Sequence, residues 1–363
     1  MRKLGIFLAV LAFCLCIPVF EVRAYVSSTG EAVVEVESGR VLYSSDGEKR
    51  LPMASTTKIL TAIIIIEDCP LDDVVCVPSE AVGIEGSSIY LVEGEKLTVR
   101  DLLYGLMLRS GNDCAVALAL HHSGSIEAFA AVMNERARAM GARDSGFSDP
   151  HGLPAQGHYT TALDLAAIAA YALRNPVFRE IVSSRSYTIA DGGCGYMRVL
   201  QNKNKMLVRY EGADGVKTGY TKEAGRCLVS SATRDGMRVV CVVLNSSEMY
   251  ERSAELLDRA FADFKMCTLF KSSGFSLRLP TDCKGKYVTA RCESDFRYPL
   301  RADEEEKVTI RREVPERVLL PVREGQSVGE LRIYLENQLL FSQKIVSILS
   351  VKKSYLDIVR EIV

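Results

Sequence analysis

Between Ala54 and Glu67 the chain is apolar nearly all round a helix, because Ile59, Leu60 and Ile63 to Ile66 leave no polar stripe wide enough to face water. Such a helix is buried, and other elements must enclose it. Pro52 precedes it, and its first turn carries Ser55-Thr-Thr-Lys58. Residues three apart share a helical face, so a hydroxyl and an amine meet at the mouth of the most apolar element of the chain.

In a first turn, free N–H groups and the helix dipole stabilise developing negative charge beside Ser55. A serine hydroxyl is a weak nucleophile until its proton is taken, and Lys58 can take it only as a neutral amine. Burial beside other cations lowers a lysine pKa enough for that, with Lys217 the candidate second cation.

Two further strings supply the surroundings. Thr98-Val-Arg-Asp101 resembles a capping box and opens a helix through Leu102, Leu103, Leu106 and Met107. Ser110-Gly-Asn112 interrupts that helix before a second helical stretch, Ala115 to His121. Ser110 can relay a proton to a leaving amine, while Asn112 can hold a peptide carbonyl or orient Lys58. Lys217-Thr-Gly219 follows Asp214-Gly215, just ahead of an edge strand. There Gly219 permits close backbone approach, Thr218 offers a hydroxyl to a carboxylate, and the Tyr220 N–H pairs with the Ser55 N–H as an oxyanion hole. Taken singly, the second and third strings read as ordinary turns; the ordered triple carries the chemistry.

Around these strings, Ala32–Glu37 and Val41–Ser44 form a hairpin about Ser38-Gly39-Arg40, and Cys227–Ala232 and Met237–Leu244 form another about Arg234-Asp235-Gly236. Ile126–Met140, Ala162–Leu173 and Ser253–Phe264 read as helices. From Gly274 short alternating runs follow: Phe275–Leu279, Val308–Ile310, Val318–Val322, Leu331–Leu335 and Leu340–Val346. They predict a small all-β domain.

At the N-terminus, Arg2 and Lys3 precede an apolar run from Leu4 to Phe20 and a small-residue site at Val22-Arg23-Ala24, which together read as an export leader over 1–24. An uncut membrane anchor is the alternative. The formal charge of −1 becomes −3 without that leader, which gives no electrostatic argument for nucleic acid. Nine cysteines then remain, an odd number with no C-x-x-C pair, so neither a metal nor another cofactor is indicated. Cys69 with Cys76, or Cys283 with Cys292, could close small disulfides in an oxidising compartment. His121, His122, His151 and His158 lack a nucleophile elbow and read as non-catalytic, with His151 and His158 in a loop that shapes the cleft. Ser350–Val363 places Val351, Tyr355, Ile358, Val359 and Ile362 at helical spacing, as a helix on a membrane surface or one packed on its own domain.

The motif set resembles that of penicillin-binding proteins and class A β-lactamases. More narrowly, from about Ala32 to Ile345, the chain resembles the low-molecular-mass serine D-alanyl-D-alanine carboxypeptidases of peptidase family S11. Gly86-Ser-Ser-Ile-Tyr90, Leu102 to Asn112, Asp149-Pro-His-Gly-Leu153, His158-Tyr-Thr-Thr-Ala162 and Asp214 to Thr221 carry the likeness. The resemblance implies the α/β (α+β) transpeptidase fold, an antiparallel sheet with helices on both sides and a helical subdomain, spanning 25–268. It also implies a sandwich-like β domain over 274–346 and an amphipathic tail over 350–363. By it, Ser55 forms the acyl-enzyme, Lys58 accepts its proton, Ser110 and Asn112 build the second wall, and Lys217 binds substrate. Arg252 looks like the arginine that receives the substrate's terminal carboxylate, a natural partner for a free C-terminus. The partners implied are peptidoglycan pentapeptide stems, β-lactams as inhibitors, and a membrane surface outside the cytoplasm. Arg226, where relatives carry a neutral residue, either tunes the cleft charge or lies on the outer strand face; the second is preferred.

A β-lactamase would need Glu-x-x-Leu-Asn between Ser110 and Lys217, and none of Glu127, Glu135, Glu180 and Glu211 begins that string. A non-catalytic wall-binding module is disfavoured by the intact Ser55, Lys58, Ser110 and Lys217. A D,D-endopeptidase that cuts crosslinks is the nearer alternative to trimming of pentapeptide stems.

Overall fold

The computed structural model describes residues 30–355, so the expected leader and residues 356–363 of the expected tail lie outside the described residues. A five-stranded antiparallel sheet forms the centre. The hairpin of β1 (Gly30–Glu35) and β2 (Val41–Ser45) is joined by β3 (Ala213–Thr221), β4 (Gly225–Arg234) and β5 (Met237–Leu244), in the order β2-β1-β5-β4-β3. Side chains alternate between its faces. Ala32, Val34, Val229 and Val242 enter one core, while Val33, Leu228, Cys241 and Val243 enter the other.

Helices cover both faces. On the first lie α1 (Lys58–Asp68), α2 (Val99–Tyr104), α3 (Asn112–Ser123), α4 (Ile126–Ala139), α5 (Ala162–Arg174) and α6 (Pro176–Ser183); on the second lies α7 (Met249–Asp263). Every residue of α1 from Lys58 to Ile65 is buried, as its apolar circumference requires. Ala54–Thr57 forms a tighter 3-10 turn before it. Thr98 and Asp101 cap α2 reciprocally, with Asp101 N donating to Thr98 Oγ1 at 3.1 Å and Thr98 N to Asp101 Oδ2 at 3.2 Å. Beyond α2 the helix widens into a π turn, Gly105–Arg109, and stops at Ser110 in the left-handed region, φ 65°. Helix α7 begins four residues ahead of the expected Ser253, so Arg252 is helical.

β6 (Lys265–Phe270) pairs with Phe296–Leu300, so residues assigned to the end of the first domain belong to this pairing. A five-stranded antiparallel sheet follows. It contains β7 (Leu277–Pro280), β8 (Tyr287–Arg291), β9 (Val308–Glu313), β10 (Ser327–Leu335) and β11 (Gln338–Ser347), in the order β7-β8-β11-β10-β9. Val318–Val322, expected as a strand, makes only isolated bridges from Val318 to Thr281 and from Val322 to Val351. Beyond that bridge, Lys353 adds an ion pair to Asp282 at 2.9 Å. Arg40, from the first hairpin, joins the two domains. It donates to Glu304 at 2.5 and 2.9 Å and to Pro299 O, with its guanidinium near the Phe264 and Tyr298 rings.

Candidate active site

The turn before α1 is bent to present one hydroxyl. Ala54 has φ 49°, a left-handed conformation that costs a non-glycine residue about 1–3 kcal/mol and persists only where its surroundings impose it. Gly152, at φ 90°, presses on the same turn so closely that a Cβ there would lie 2.0 Å from Ala54 O. Between Met53 and Ile65, Ser55 alone escapes burial. The 3-10 geometry eclipses positions three apart, and Lys58 Nζ stands 3.1 Å from Ser55 Oγ.

Lys58 is fully buried without a carboxylate in salt-bridge contact. Its Nζ meets Asn112 Oδ1 at 2.7 Å and His151 O at 2.5 Å as well as the serine. Those two acceptors take both N–H bonds of a neutral amine and aim its lone pair at the serine proton. Burial lowers the pKa of Lys58 to about 7, while Asp149 pulls it back upward. Burial thus does more than the neighbouring cation to which the sequence reading also appealed.

The strings after Lys58 converge on it. Asn112 takes the orienting role of the two open to it, since its Nδ2 donates to Glu85 O at 2.6 Å while Oδ1 faces Lys58. Its N–H donates to Ser87 O at 2.7 Å. The neighbouring Asp113 carboxylate accepts from Ser88 Oγ and from the N–H groups of Ile89 and Leu91, which fastens the 85–91 loop to the start of α3. Ser110 is buried where the π turn ends.

Lys217-Thr-Gly219 lies within edge strand β3 rather than ahead of it. Gly219 passes so near the nucleophile turn that a Cβ there would be 3.0 Å from Ser55 N, which sets the strand beside the serine amide. Lys217 is buried, and burial, then Lys58, holds its pKa well below the ordinary value. Its Nζ donates to Thr218 O at 2.8 Å. Thr218 is half-buried and Tyr220 exposed.

The Asp149–Leu153 loop holds Lys58 and the nucleophile turn together. His151 supplies its backbone O to Lys58, and Pro150 O accepts from Thr61 Oγ1 at 2.7 Å. His158 Nδ1 accepts from Ser148 N, leaving Nε2–H to meet Thr57 Oγ1 at 2.9 Å, and Thr57 Oγ1 donates to Ala54 O. Burial lowers the His158 pKa despite the nearby Asp149. Burial alone would raise the Asp149 carboxyl, yet His151, His158 and Gly152 N–H hold it at about 2. Among the described residues no group of three His, Cys, Asp or Glu side chains is arranged to hold a metal, and Cys69 and Cys76 are free thiols.

The family model for D-alanyl-D-alanine carboxypeptidases, peptidase family S11, matches residues 20–248, and that for the C-terminal domain of penicillin-binding protein 5 matches 281–353. The chain belongs to peptidase family S11. It is 32% identical over 340 residues to the D-alanyl-D-alanine carboxypeptidase DacF of Bacillus subtilis, covering 89% of this chain and 85% of that one. It is 35% identical over 246 residues to the D-alanyl-D-alanine carboxypeptidase of Streptomyces sp. strain K15, covering 63% and 84%. Penicillin binding protein 5 from Haemophilus influenzae superposes with a TM-score of 0.75 at 25% identity, covering 91% of this chain and 99% of that one.

Arg252, expected at the substrate carboxylate, lies on α7. Its guanidinium forms a buried pair with Glu31, at 2.7 and 2.8 Å, and reaches Glu255 at 2.8 Å. It therefore lies against β1 on the α7 face of the sheet, away from edge strand β3 and from the nucleophile on the opposite face. Arg226 is exposed and reaches Ser247 O, on the strand face that also carries Leu228, as preferred. One cleft residue escaped the sequence reading. Lys203 extends its Nζ to Ser87 Oγ at 3.0 Å, near enough to Lys58 and Lys217 to lower the proton affinity of both. The only sequence signal for it is the pair of flanking asparagines, Asn202 and Asn204, whose side chains build the turn that presents it.

Proposed function

We propose that this S11 peptidase is a serine D-alanyl-D-alanine carboxypeptidase that removes the terminal D-alanine of peptidoglycan pentapeptide stems through a Ser55 acyl-enzyme, and that β-lactams acylate the same serine. The observation that carries this reading is the Lys58 amine, buried, partly neutral near pH 7, and aimed at Ser55 Oγ by Asn112 and His151. Lys58 takes the serine proton as Oγ attacks the penultimate D-alanine carbonyl. The Ser55 and Tyr220 N–H groups receive the negative charge on the carbonyl oxygen, and Ser110 relays the proton held by Lys58 to the departing amine, taking one from Lys58 as it gives one up. Water then attacks the ester, releases the shortened peptide and restores Ser55.

Export and peripheral attachment to the outer face of the cytoplasmic membrane complete the proposal. The apolar run from Leu4 to Phe20 supports export, and the spacing of Tyr355, Ile358, Val359 and Ile362 supports attachment. Among the described residues no single helix is long and apolar enough to cross a membrane.

The test is release of D-alanine from a diacetylated Lys-D-Ala-D-Ala peptide, with a crosslinked dimer as competitor and mass spectrometry of a penicillin adduct. Ser55→Ala should lose both D-alanine release and the adduct. Parent-rate release by that variant overturns the mechanism, and preferential cleavage of the dimer favours an endopeptidase.

A further inference from the structure

Two segments on the Ser110 and Asn112 side of the cleft leave large apolar side chains in solvent. One is the 85–91 loop, fastened to the start of α3, where Tyr90 is 78% exposed. The other is the hairpin of Ser186–Ile189 and Arg198–Gln201, where Tyr196, Met197 and Val199 are exposed and whose far end bonds to the π turn through Arg109 and Gln201 O. Buried Arg198 ties the two together. Its Nε donates to Ile89 O at 2.9 Å, and its Nη2 to Tyr90 O at 3.0 Å and to the Tyr196 hydroxyl at 3.1 Å. The guanidinium lies 4.7 Å from the Tyr196 ring centroid, Glu95 neutralises it from within the fold, and the Tyr196 hydroxyl donates to Tyr90 O. Tyr90 itself sits at φ 61°, a left-handed conformation that costs a bulky residue about 1–3 kcal/mol. Its ring packs on little of the chain that would offset the cost, and strain of this kind collects where a residue serves a ligand. An exposed apolar patch on a rigid support marks a binding surface.

The position of the patch says what reaches it. Tyr90 stands three residues beyond Ser87, whose O accepts from Asn112 N beside Lys58. Three residues span at most about 11 Å, while the four stem residues that precede the scissile bond, drawn out, span about 13 Å. A stem held at Ser55 is therefore long enough to bring its other end to the patch, and that end is joined to a sugar. A pyranose ring has an apolar C–H face and a hydroxyl edge, which match the apolar body and polar tip of tyrosine. We propose that Tyr90, Tyr196 and Met197 form a platform on which the glycan strand of peptidoglycan stacks, so that glycan-linked stems are preferred to free peptides.

This inference rests on the carboxypeptidase reading, and its test separates the two. D-alanine release from a disaccharide-linked pentapeptide is compared with release from the same pentapeptide without sugar, for the full chain and for Tyr90→Phe, Tyr90→Asn and Met197→Ser. Asparagine tolerates the left-handed backbone, so Tyr90→Asn removes the ring and keeps the loop. Stacking on one ring is worth about two- to tenfold, so the parent should show a KM lower by at least that factor on the linked substrate, at equal kcat. Tyr90→Asn should lose most of that advantage and keep the parent kcat/KM on the free peptide. Tyr90→Phe should retain it, and Met197→Ser should lose part. Equal KM values on the two substrates in the parent, or an undiminished advantage in Tyr90→Asn, overturns the platform. Equilibrium dialysis with soluble glycan chains stripped of their stems reads the platform without catalysis, and there Tyr90→Asn should bind more weakly by the same factor. If the parent binds those chains but releases no D-alanine from either peptide, the carboxypeptidase reading has failed and the platform stands.

Discussion

If Lys58 must be neutral to act, acylation should follow the titration of that one amine. With a pKa of about 7 in the folded protein, the neutral fraction is about half at neutrality. The rate should then fall to about a tenth of its plateau at pH 6 and about a hundredth at pH 5, with unit slope. The measurement is single-turnover acylation by a chromogenic penicillin, since ester formation is read directly and deacylation does not enter. Asp149 supplies a second arm. Its carboxylate is the foremost influence raising the Lys58 pKa, so Asp149→Asn should move the acid limb to lower pH and leave more neutral lysine at pH 6. A rate flat between pH 5 and 7, or a limb that moves upward in Asp149→Asn, would refute the assignment of Lys58 as the proton acceptor.

Three further outcomes follow from contacts away from that amine. Gly152→Ala forces a Cβ into Ala54 O at φ 90° and should destabilise the fold by on the order of 3 kcal/mol, seen as a lowered Tm together with slower penicillin acylation. Arg252→Met leaves Glu31 buried without its partner and should cost about 3–5 kcal/mol in denaturant unfolding, yet the folded enzyme should keep its preference for free-acid over amidated peptide; loss of that preference would return Arg252 to the cleft. A chain ending at Tyr355 keeps the Val322–Val351 bridge and the Asp282–Lys353 pair, and should partition from the membrane fraction into the soluble one; an unchanged distribution rejects the terminal anchor.

Local signals were legible where residue type and spacing act together. Thr98 and Asp101 announced their cap, the all-round apolar run announced its burial, and Ser55 and Lys58 met because three residues span one turn in an α-helix and in the 3-10 turn alike. What was not legible depended on distant partners. The Arg252–Glu31 pair joins residues 221 positions apart, and nothing in either local string records it. Val318–Val322 is apolar and β-prone like a strand, but Pro321 has no N–H to add to a ladder, and the segment makes only bridges. Lys265–Phe270 pairs with Phe296–Leu300 some 30 residues on, and neither string names the other.

The enclosure of α1 is what makes the lysine usable. Moving its pKa from an ordinary 10.5 to about 7 corresponds to on the order of 5 kcal/mol spent on holding a charge out of water. Ile59, Leu60, Ile63, Ile64 and Ile65, each at most 1% exposed, contribute roughly 2 kcal/mol apiece and more than offset it. That balance depends on pH in a fixed direction. Below about 7 the folded and unfolded chains both carry the proton, so the cost is present in full. From about 7 to 10.5 only the unfolded chain carries it, so stability rises with pH. Lys58→Met cannot titrate, and subtracting its stability from that of the parent cancels other groups. Between about pH 7.5 and 8.5 the parent should gain about 1.2 kcal/mol on the variant in denaturant unfolding. A difference that stays constant over that interval means that Lys58 retains an ordinary proton affinity, and the proton would then have to leave Ser55 by another route.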